Sequence, residues 1–257
     1  MASTSETGHA KNLAHFQQLL TFCKSYGATY NPSRQVLQIQ NLEKLLAQAQ
    51  AVLNNVKSTK AAFDNATNNR KEGFNELKKT SLQVVSAFAA SGVPQLAVAD
   101  AKGHLRKMNG RRAKEIKPAV APPATGALPS VPMAVLTEAT QEKHISVSQL
   151  SFDNMADHFS KLVQTVSQQP AYNPNEQQFT AAGLQLQLDK LNNLNTTVVS
   201  NFTDWNSARI SRNDTMYNPL TGLVQVSLDV KQYVRSIFGN TSPQFKQVSG
   251  LRIVAMK

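Results

Sequence analysis

The chain repeats much of its own pattern after 142 residues, and this repetition constrains its fold more than any other feature. Tyr30-Asn31-Pro32 returns as Tyr172-Asn173-Pro174. Other residues recur at the same offset: Leu42, Leu46, Val56, Ala66 and Arg70 return as Leu184, Leu188, Val198, Ala208 and Arg212. Repeated structural units each need their own hydrophobic face. We therefore expect two tandem helical repeats, residues 1–110 and 144–257, joined by a basic and then Pro/Ala-rich linker over residues 111–143.

The offset between the copies grows toward the C-terminus. Phe88 corresponds to Phe238, 150 residues later, and Pro94 corresponds to Pro243, 149 residues later. The second copy therefore holds seven or eight extra residues, which fall near residues 217–222, where Pro and Gly interrupt a helical pattern. Because seven residues make about two helical turns, the insertion predicts either a helix extended by two turns or a helix that ends and starts again.

The hydrophobic pattern within each copy is helical. In the first copy the apolar residues follow a 3-4-3-4 spacing: Ile39, Leu42, Leu46, Ala49, Leu53, Val56, Phe63, Phe74, Leu77, Val84 and Phe88. Polar residues such as Lys60 and Arg70 interrupt this seam, so it suits a helical bundle better than a continuous coiled coil. We predict an elongated, all-α protein with about four helices in each repeat. The predicted helices cover residues 9–25, 33–68, 70–90 and 94–109, then 150–168, 175–216, 219–238 and 243–250, with 33–68 and 70–90 either separate or joined as one rod.

Prolines mark the predicted helix starts and the linker. Helices are expected to begin at Asn31-Pro32, Asn173-Pro174 and Ser242-Pro243, because proline fits the first helical turn and the residue before it can act as a cap. Residues 118–136 hold five prolines in nineteen positions, which is typical of a semi-rigid, extended spacer. The best strand signal is residues 251–254. The sequence leaves open whether the two repeats share one bundle.

Basic residues are concentrated at the end of the first repeat. Residues 1–117 carry 17 Lys and Arg against 7 Asp and Glu, whereas residues 118–257 carry 10 against 9. Seven cations lie in a short segment whose one acid is Glu115: Lys102, Arg106, Lys107, Arg111, Arg112, Lys114 and Lys117. A cationic arm of this kind binds phosphate backbones by releasing counterions. Other interpretations stay open: a solvated basic tail, or contact with an acidic protein surface or membrane.

The charge pattern predicts a non-enzymatic helical binding protein whose basic arm contacts RNA, DNA or the ribosome. Sequence-specific reading is not expected, because the chain has no zinc-ligand spacing, RNA-recognition motif or clear helix-turn-helix pattern. The alternative is a structural or scaffolding protein whose long helices self-associate into a homo-oligomer or larger assembly. A helical pore-forming protein or secreted effector is disfavoured, because no hydrophobic hairpin or export signal is visible.

No pattern of catalytic or metal-binding residues stands out. The five histidines show no metal-ligand spacing: His9, His15, His104, His144 and His158. Cys23, the single cysteine, is predicted to be a small buried hydrophobe in a reducing compartment. The sequence has no stretch of 18 apolar residues, the length needed to span a membrane. We expect a cytoplasmic protein. We predict no enzymatic activity, cofactor or metal, and the sequence identifies no small-molecule substrate.

Two arginines at equivalent positions are candidates for a structural polar pair. Arg70 and Arg212 lie in the polar middle of the long predicted helices, where an inward-facing guanidinium needs a carboxylate or carbonyl partner and can fix helix register. A ligand anchor is the less favoured interpretation. Phe63 and Trp205, also equivalent, are predicted to be core anchors close to these arginines.

Several segments together carry a resemblance to a known family. They are residues 5–12 (SETGHAKN), 26–33 (YGATYNPS), 110–113 (GRRA), 208–214 (ARISRND) and 241–249 (TSPQFKQVS). Through them nearly the whole chain resembles a family of hypothetical bacterial proteins with a duplicated helical repeat. The resemblance implies a bacterial, cytoplasmic protein, and it transfers no activity, cofactor or functional residue.

Overall fold

The protein is all-α over residues 4–111 and 150–255, the parts of the chain that the computed structural model describes. These residues form no strand, so the predicted fold class is confirmed at this level. The α-helices are α1 (Thr4–Ser25), α2 (Ile39–Ala90), α3 (Gln95–Met108), α4 (Phe152–Ser167), α5 (Ala181–Tyr217), α6 (Leu223–Phe238) and α7 (Pro243–Ser249). Short 3-10 turns cover Gly27–Thr29, Gln35–Leu37 and Gln177–Phe179. The predicted Pro-rich spacer lies outside the described residues.

The two longest helices start later than their prolines predicted. The predicted helix starts at Asn31-Pro32 and Asn173-Pro174 are wrong. Both segments precede a 3-10 turn, and the α-helices begin later, at Ile39 and Ala181. A tyrosine holds each loop: the Tyr30 hydroxyl donates to the Leu37 carbonyl at 2.8 Å, and the Tyr172 hydroxyl donates to the Phe179 carbonyl at 2.9 Å. The predicted start at Ser242-Pro243 is confirmed, with the Ser242 hydroxyl capping the Phe245 amide.

The region predicted to hold extra residues, 217–222, lies between two helices. Helix α2 runs unbroken for 52 residues, so the helices predicted over residues 33–68 and 70–90 form one rod. Helix α5, in contrast, ends at Tyr217, and the Asn218 side-chain oxygen accepts the amides of Leu220 and Thr221 at 3.0 and 3.2 Å. Helix α6 then begins at Leu223. The prediction of a helix that starts again is thereby confirmed.

The C-terminal segment is held against α1 without forming a strand. Leu251 and Ile253 are buried, which is the alternation that suggested a strand. Its backbone is paired by side chains instead of a neighbouring strand: Asn12 donates to the Val254 carbonyl at 2.7 Å and accepts its amide at 3.2 Å. His15 Nδ1 lies 2.7 Å from the Arg252 carbonyl. The predicted strand at residues 251–254 is therefore wrong.

The chain divides into two compact units that interleave along the sequence. Unit 1 comprises residues 1–70 and 196–257, and unit 2 comprises residues 71–195. The boundaries fall inside α2 and α5, so each unit draws helices from both predicted repeats. The predicted domains, 1–110 and 144–257, do not coincide with these units. The cause lies in α2, whose apolar stripe is buried in one core at its start and in another core at its end.

Each unit has a hydrophobic core of its own. In unit 1, Phe16 and Leu19 of α1 pack with the start of α2 and with the valines of α6. In unit 2, Phe88 of α2 packs with Phe159 and Leu162 of α4 and with the start of α5. No helix in the described part of the chain combines the length and apolar character needed to cross a bilayer.

Candidate polyanion-binding surface

Four of the seven predicted phosphate-binding cations lie on α3 or just beyond its end. Lys102, Arg106 and Lys107 are on α3, Arg111 follows the helix, and all four side chains are exposed. The other three, Arg112, Lys114 and Lys117, lie outside the described residues. We call the described four the α3 cations.

Burial of the apolar face of α3 directs these cations outward. Val98, Ala101 and Met108 are buried in the core of unit 2, where α3 packs against α4. Lys102 and Arg106 are four residues apart and therefore share one exposed face. Lys107, the next residue, points about 100° away around the helix. The helix thus presents its charges on two adjoining sides.

A glycine cap fixes the chain at the end of α3. Gly110 has a φ of +68°, and its amide donates to the Lys107 carbonyl at 2.9 Å. The next amide, that of Arg111, reaches back to the Arg106 carbonyl at 3.0 Å. This pair of hydrogen bonds defines a Schellman motif, for which glycine is preferred at the left-handed position. The cap places Arg111 beside the last turn of α3 and its basic side chains.

Two histidines with shifted pKa values lie close to the α3 cations. The pKa of His104 is lowered, chiefly by burial and then by the charges of Lys107, His158 and Lys161. The pKa of His158 on α4 is also lowered by burial and by Lys107 and Lys161, although Asp157 opposes the shift. Both imidazoles are therefore neutral at pH 7. We did not predict this grouping from the sequence, because His104 and His158 come together only when α3 packs on α4.

Asp157 pairs with Lys161 on α4. The α3 cations, in contrast, form no salt bridge with a described residue. Lys161 forms a salt bridge of 2.5 Å with Asp157, whose pKa is lowered mainly by that hydrogen bond. Within the described residues, the salt bridges all involve other side chains. Each of the α3 cations is thus exposed and without a salt bridge among the described residues.

The arginines predicted to form a structural pair lie in unit 1. Arg70 is half-buried near the middle of α2. Arg212 is half-buried on α5, and its Nε and Nη2 donate to the Asn213 side-chain oxygen at 3.2 and 2.9 Å. Arg212 also lines a pocket. This position fits the less favoured interpretation, a ligand anchor, better than a purely structural pair. A role for either arginine in fixing helix register stays a prediction.

Aromatic residues pack where α2 and α5 meet in unit 1. The rings of Phe63 and Trp205 stack at 5.6 Å with an interplanar angle of 16°, and Phe202 contacts both. Lys60 and Arg209 lie over the Trp205 ring at 5.3 and 5.2 Å, which suits a cation–π contact. Phe63 and Trp205 are half-buried and belong to neither hydrophobic core, so they anchor a contact between α2 and α5 instead of the core itself.

The described residues contain no cluster of three or more His, Cys, Asp or Glu side chains that could hold a metal ion. No family model, curated protein or solved structure matches this chain.

Proposed function

We propose that this protein is a non-enzymatic, helical polyanion-binding protein that contacts nucleic-acid phosphates without reading their sequence. One observation carries the proposal: the α3 cations are all exposed, adjoin one another and form no salt bridge with a described residue. Cations left unpaired in this way can exchange their counterions for phosphates at little cost.

The surroundings of the α3 cations support the same conclusion. The pKa values of His104 and His158 are lowered chiefly by burial and also by the charge of Lys107, which places that cation close to the contact between α3 and α4. The Schellman motif at Gly110 orders the backbone that carries Arg111. Ordered cations lose less side-chain and backbone entropy when a phosphate binds than cations on a flexible segment.

A purely structural role for these cations makes a different prediction. Basic side chains in the last turn of a helix offset its dipole and typically contribute about 0.3–1 kcal/mol each. If that were their whole role, neutralising them would lower stability and leave nucleic-acid binding unchanged. Binding and stability must therefore be measured on the same variants.

The test compares two triple variants of the full-length chain. The first carries Lys102→Gln, Arg106→Gln and Lys107→Gln on α3. The matched control carries Lys71→Gln, Lys78→Gln and Lys79→Gln, which removes the same charge from exposed positions on α2 in the same unit. Affinity for a fluorescent single-stranded oligonucleotide is measured by anisotropy across a salt series, and stability is measured by urea unfolding.

We expect the α3 variant to bind roughly tenfold more weakly at low salt. Its log–log salt slope should fall by about two, since each phosphate contact on a single strand contributes about 0.7. The control should change far less. Equal losses in both variants would show that net charge alone drives binding, and an unchanged α3 variant would refute the proposal.

A second candidate function, self-association into a scaffold, is favoured by an exposed apolar stripe on α5. Val199, Phe202 and Ile210 lie on one side of this helix and are 64%, 46% and 71% exposed. Such side chains on one helix face fit a partner helix. Sedimentation of the wild type and of Phe202→Glu, each at low and high salt, tests this. A salt-resistant oligomer that the substitution dissolves would support the scaffold, and a monomer at all concentrations would exclude it.

We also propose that the chain arose by internal duplication. The 3-10 turns at Gln35–Leu37 and Gln177–Phe179 are 142 residues apart, as are the starts of α2 and α5. Each turn receives the same tyrosine hydrogen bond, from Tyr30 in one copy and Tyr172 in the other. The agreement extends from residue identity to hydrogen-bond geometry. Equal destabilisation of the chain by Tyr30→Phe and Tyr172→Phe, measured by urea unfolding, would support this origin, and a loss at one position alone would count against it.

A further inference from the structure

Unit 1 contains a pocket of about 300 Å³ that the proposed polyanion-binding function does not use. Its apolar wall is formed by Ala10, Leu13 and Ala14 on α1 and by Leu53 and Val56 on α2. Pockets of this size are at the lower end of the range that binds small molecules. The pocket, called here the α1–α2 pocket, lies entirely within one compact unit.

The pocket forms because two small residues face it. Helices α1 and α2 run antiparallel, since Lys24 near the end of α1 bridges to Glu43 near the start of α2 at 2.5 Å. Ala10 and Ala14 are one turn apart on α1 and therefore lie above one another on the same face. Side chains larger than alanine at these positions would occupy the space.

The two ends of the pocket differ in chemistry. Because the helices are antiparallel, the amides of Gln17 and Gln50 share one end, and Lys57 lies toward the other end with His9. Arg212 of α5 also lines the pocket, and its charge acts on Tyr217, the residue that contacts His9. Among the described residues that line the pocket there is no Asp or Glu. One end is therefore cationic, the middle is apolar and the far end is polar but neutral.

A partly buried contact between Tyr217 and His9 adjoins the cationic end. Tyr217 Oη lies 2.5 Å from His9 Nδ1. Burial raises the pKa of Tyr217, opposed by a hydrogen bond from Asn12 and by the charge of Arg212. The phenol is therefore neutral at pH 7 and adds no negative charge beside Arg212. The sequence of unit 1 as a whole carries 14 Lys and Arg against 6 Asp and Glu, a net charge of +8 that favours an anionic ligand.

We propose that the α1–α2 pocket binds a small organic monocarboxylate with an apolar body. The carboxylate accepts hydrogen bonds from Lys57 and Arg212, and the apolar body packs on Leu13, Leu53 and Val56. A charged group that is recognised by two cations gains more than a neutral hydroxyl in the same position, because charge-assisted hydrogen bonds are about twice as strong as neutral ones. The pocket therefore discriminates a carboxylate from an alcohol of the same length.

The experiment titrates the full-length protein with octanoate and, as a matched neutral probe, octan-1-ol by isothermal calorimetry. We expect octanoate to bind at least about tenfold more tightly than the alcohol. Lys57→Gln and Arg212→Gln should each weaken octanoate binding about tenfold, and Ala14→Leu should abolish binding by filling the pocket. The control is Lys44→Gln, an exposed lysine of α2 outside the pocket, which should leave the affinity unchanged.

The result is decisive in both directions. Lys57 is exposed, so Lys57→Gln is expected to fold even if Arg212→Gln does not, and circular dichroism checks both. Equal binding of octanoate and octan-1-ol, no binding of either, or octanoate binding that Lys57→Gln leaves unchanged would each overturn the proposal. Because the α3 cations belong to the other unit, the triple α3 variant should keep its octanoate affinity, which separates this site from the proposed polyanion surface.

Discussion

Single residues in the core of unit 1 owe their chemistry to desolvation. Cys23 is 1% exposed, and burial raises the pKa of its thiol to about 12 although a hydrogen bond with Tyr30 acts in the opposite direction. Burial likewise raises the pKa of the Tyr30 phenol. Both groups are therefore neutral at pH 7. The prediction that Cys23 is a small buried hydrophobe is confirmed.

We expect Cys23 to react very slowly with a disulfide reagent such as DTNB at pH 8. The thiolate is the reactive form, and a pKa near 12 makes it rare in the folded chain. The native rate should be on the order of a thousandfold below the rate in strong urea, where an ordinary cysteine pKa of about 8.5 applies. Rapid modification of the folded protein, with its helicity intact, would contradict this assignment.

The two histidines of unit 2 should make stability fall with acid. Their folded pKa values are lowered by burial and by Lys107 and Lys161, with Asp100 opposing the shift at His104 and Asp157 opposing it at His158. Below about pH 6.5 the two histidines are therefore protonated more readily in the unfolded chain than in the folded chain. Stability is lost as the pH falls through the folded pKa values. Above that pH both states are neutral and the penalty vanishes.

Urea unfolding at pH 7.5 and at pH 5.5 measures this effect. The wild type should lose stability between the two pH values, and His104→Gln should lose less because one of the resisting groups is gone. A loss of the same size in the variant would show that His104 does not contribute. An NMR titration of the two imidazoles would give the lowered pKa values directly.

At the scale of the helices, one side chain marks the end of α5. The Asn218 side-chain oxygen accepts the amides of Leu220 and Thr221, and its side-chain amide donates to Asp214 at 3.0 Å. Helix α2 is continuous through the residues that lie 142 positions earlier. The break lets α6 begin as a separate helix whose valines enter the core of unit 1.

Asn218→Ala should therefore destabilise the protein by about 1–2 kcal/mol, the usual cost of losing a helix-end cap and leaving amides unpaired. Urea unfolding monitored by circular dichroism gives the value. Leu220→Ala is the control, because Leu220 is 72% exposed in the same turn and should change stability little. If both variants lose the same amount, the turn is sensitive to any change and the cap argument fails.

The accuracy of the sequence-based predictions differs between helix bodies and helix ends. The 3-4 spacing of residues such as Leu42, Leu77 and Phe88 identified α2, because periodic burial is encoded locally. The starts at Asn31-Pro32 failed because proline also suits a loop, and the tyrosine hydrogen bond that keeps this loop non-helical depends on the fold. The α3 cations could be located by charge alone, whereas the α1–α2 pocket required knowing that α1 and α2 lie side by side.

At the scale of the whole molecule, neither half of the sequence contains a complete unit. Unit 1 comprises residues 1–70 together with residues 196–257, and the core of unit 2 combines α2 and α3 with α4 and α5. The hydrophobic seam of α2 could not reveal this, because a periodic pattern shows that a face is buried but not what buries it. Leu42 and Leu77 belong to one seam and to two different cores.

Separately produced fragments 1–110 and 144–257 should therefore not unfold cooperatively as monomers. Each would expose the apolar surface that the other half covers in the intact chain. Mixing the two fragments should restore helicity and a cooperative transition, as measured by circular dichroism and sedimentation. A half that folds cooperatively as a monomer would show that the interleaved units are not the folding units.

The interleaving also sets an order of events during synthesis on the ribosome. The first 70 residues are made before the 125 residues of unit 2, and their partners in unit 1 follow only after those. At typical elongation rates of about 5–20 residues per second, the nascent chain waits on the order of ten seconds before Phe16, Leu19 and Leu42 can be covered by α6. The nested unit 2 can close first. The N-terminal helices are therefore the part of unit 1 whose apolar side chains wait longest for their partners while the chain is being made.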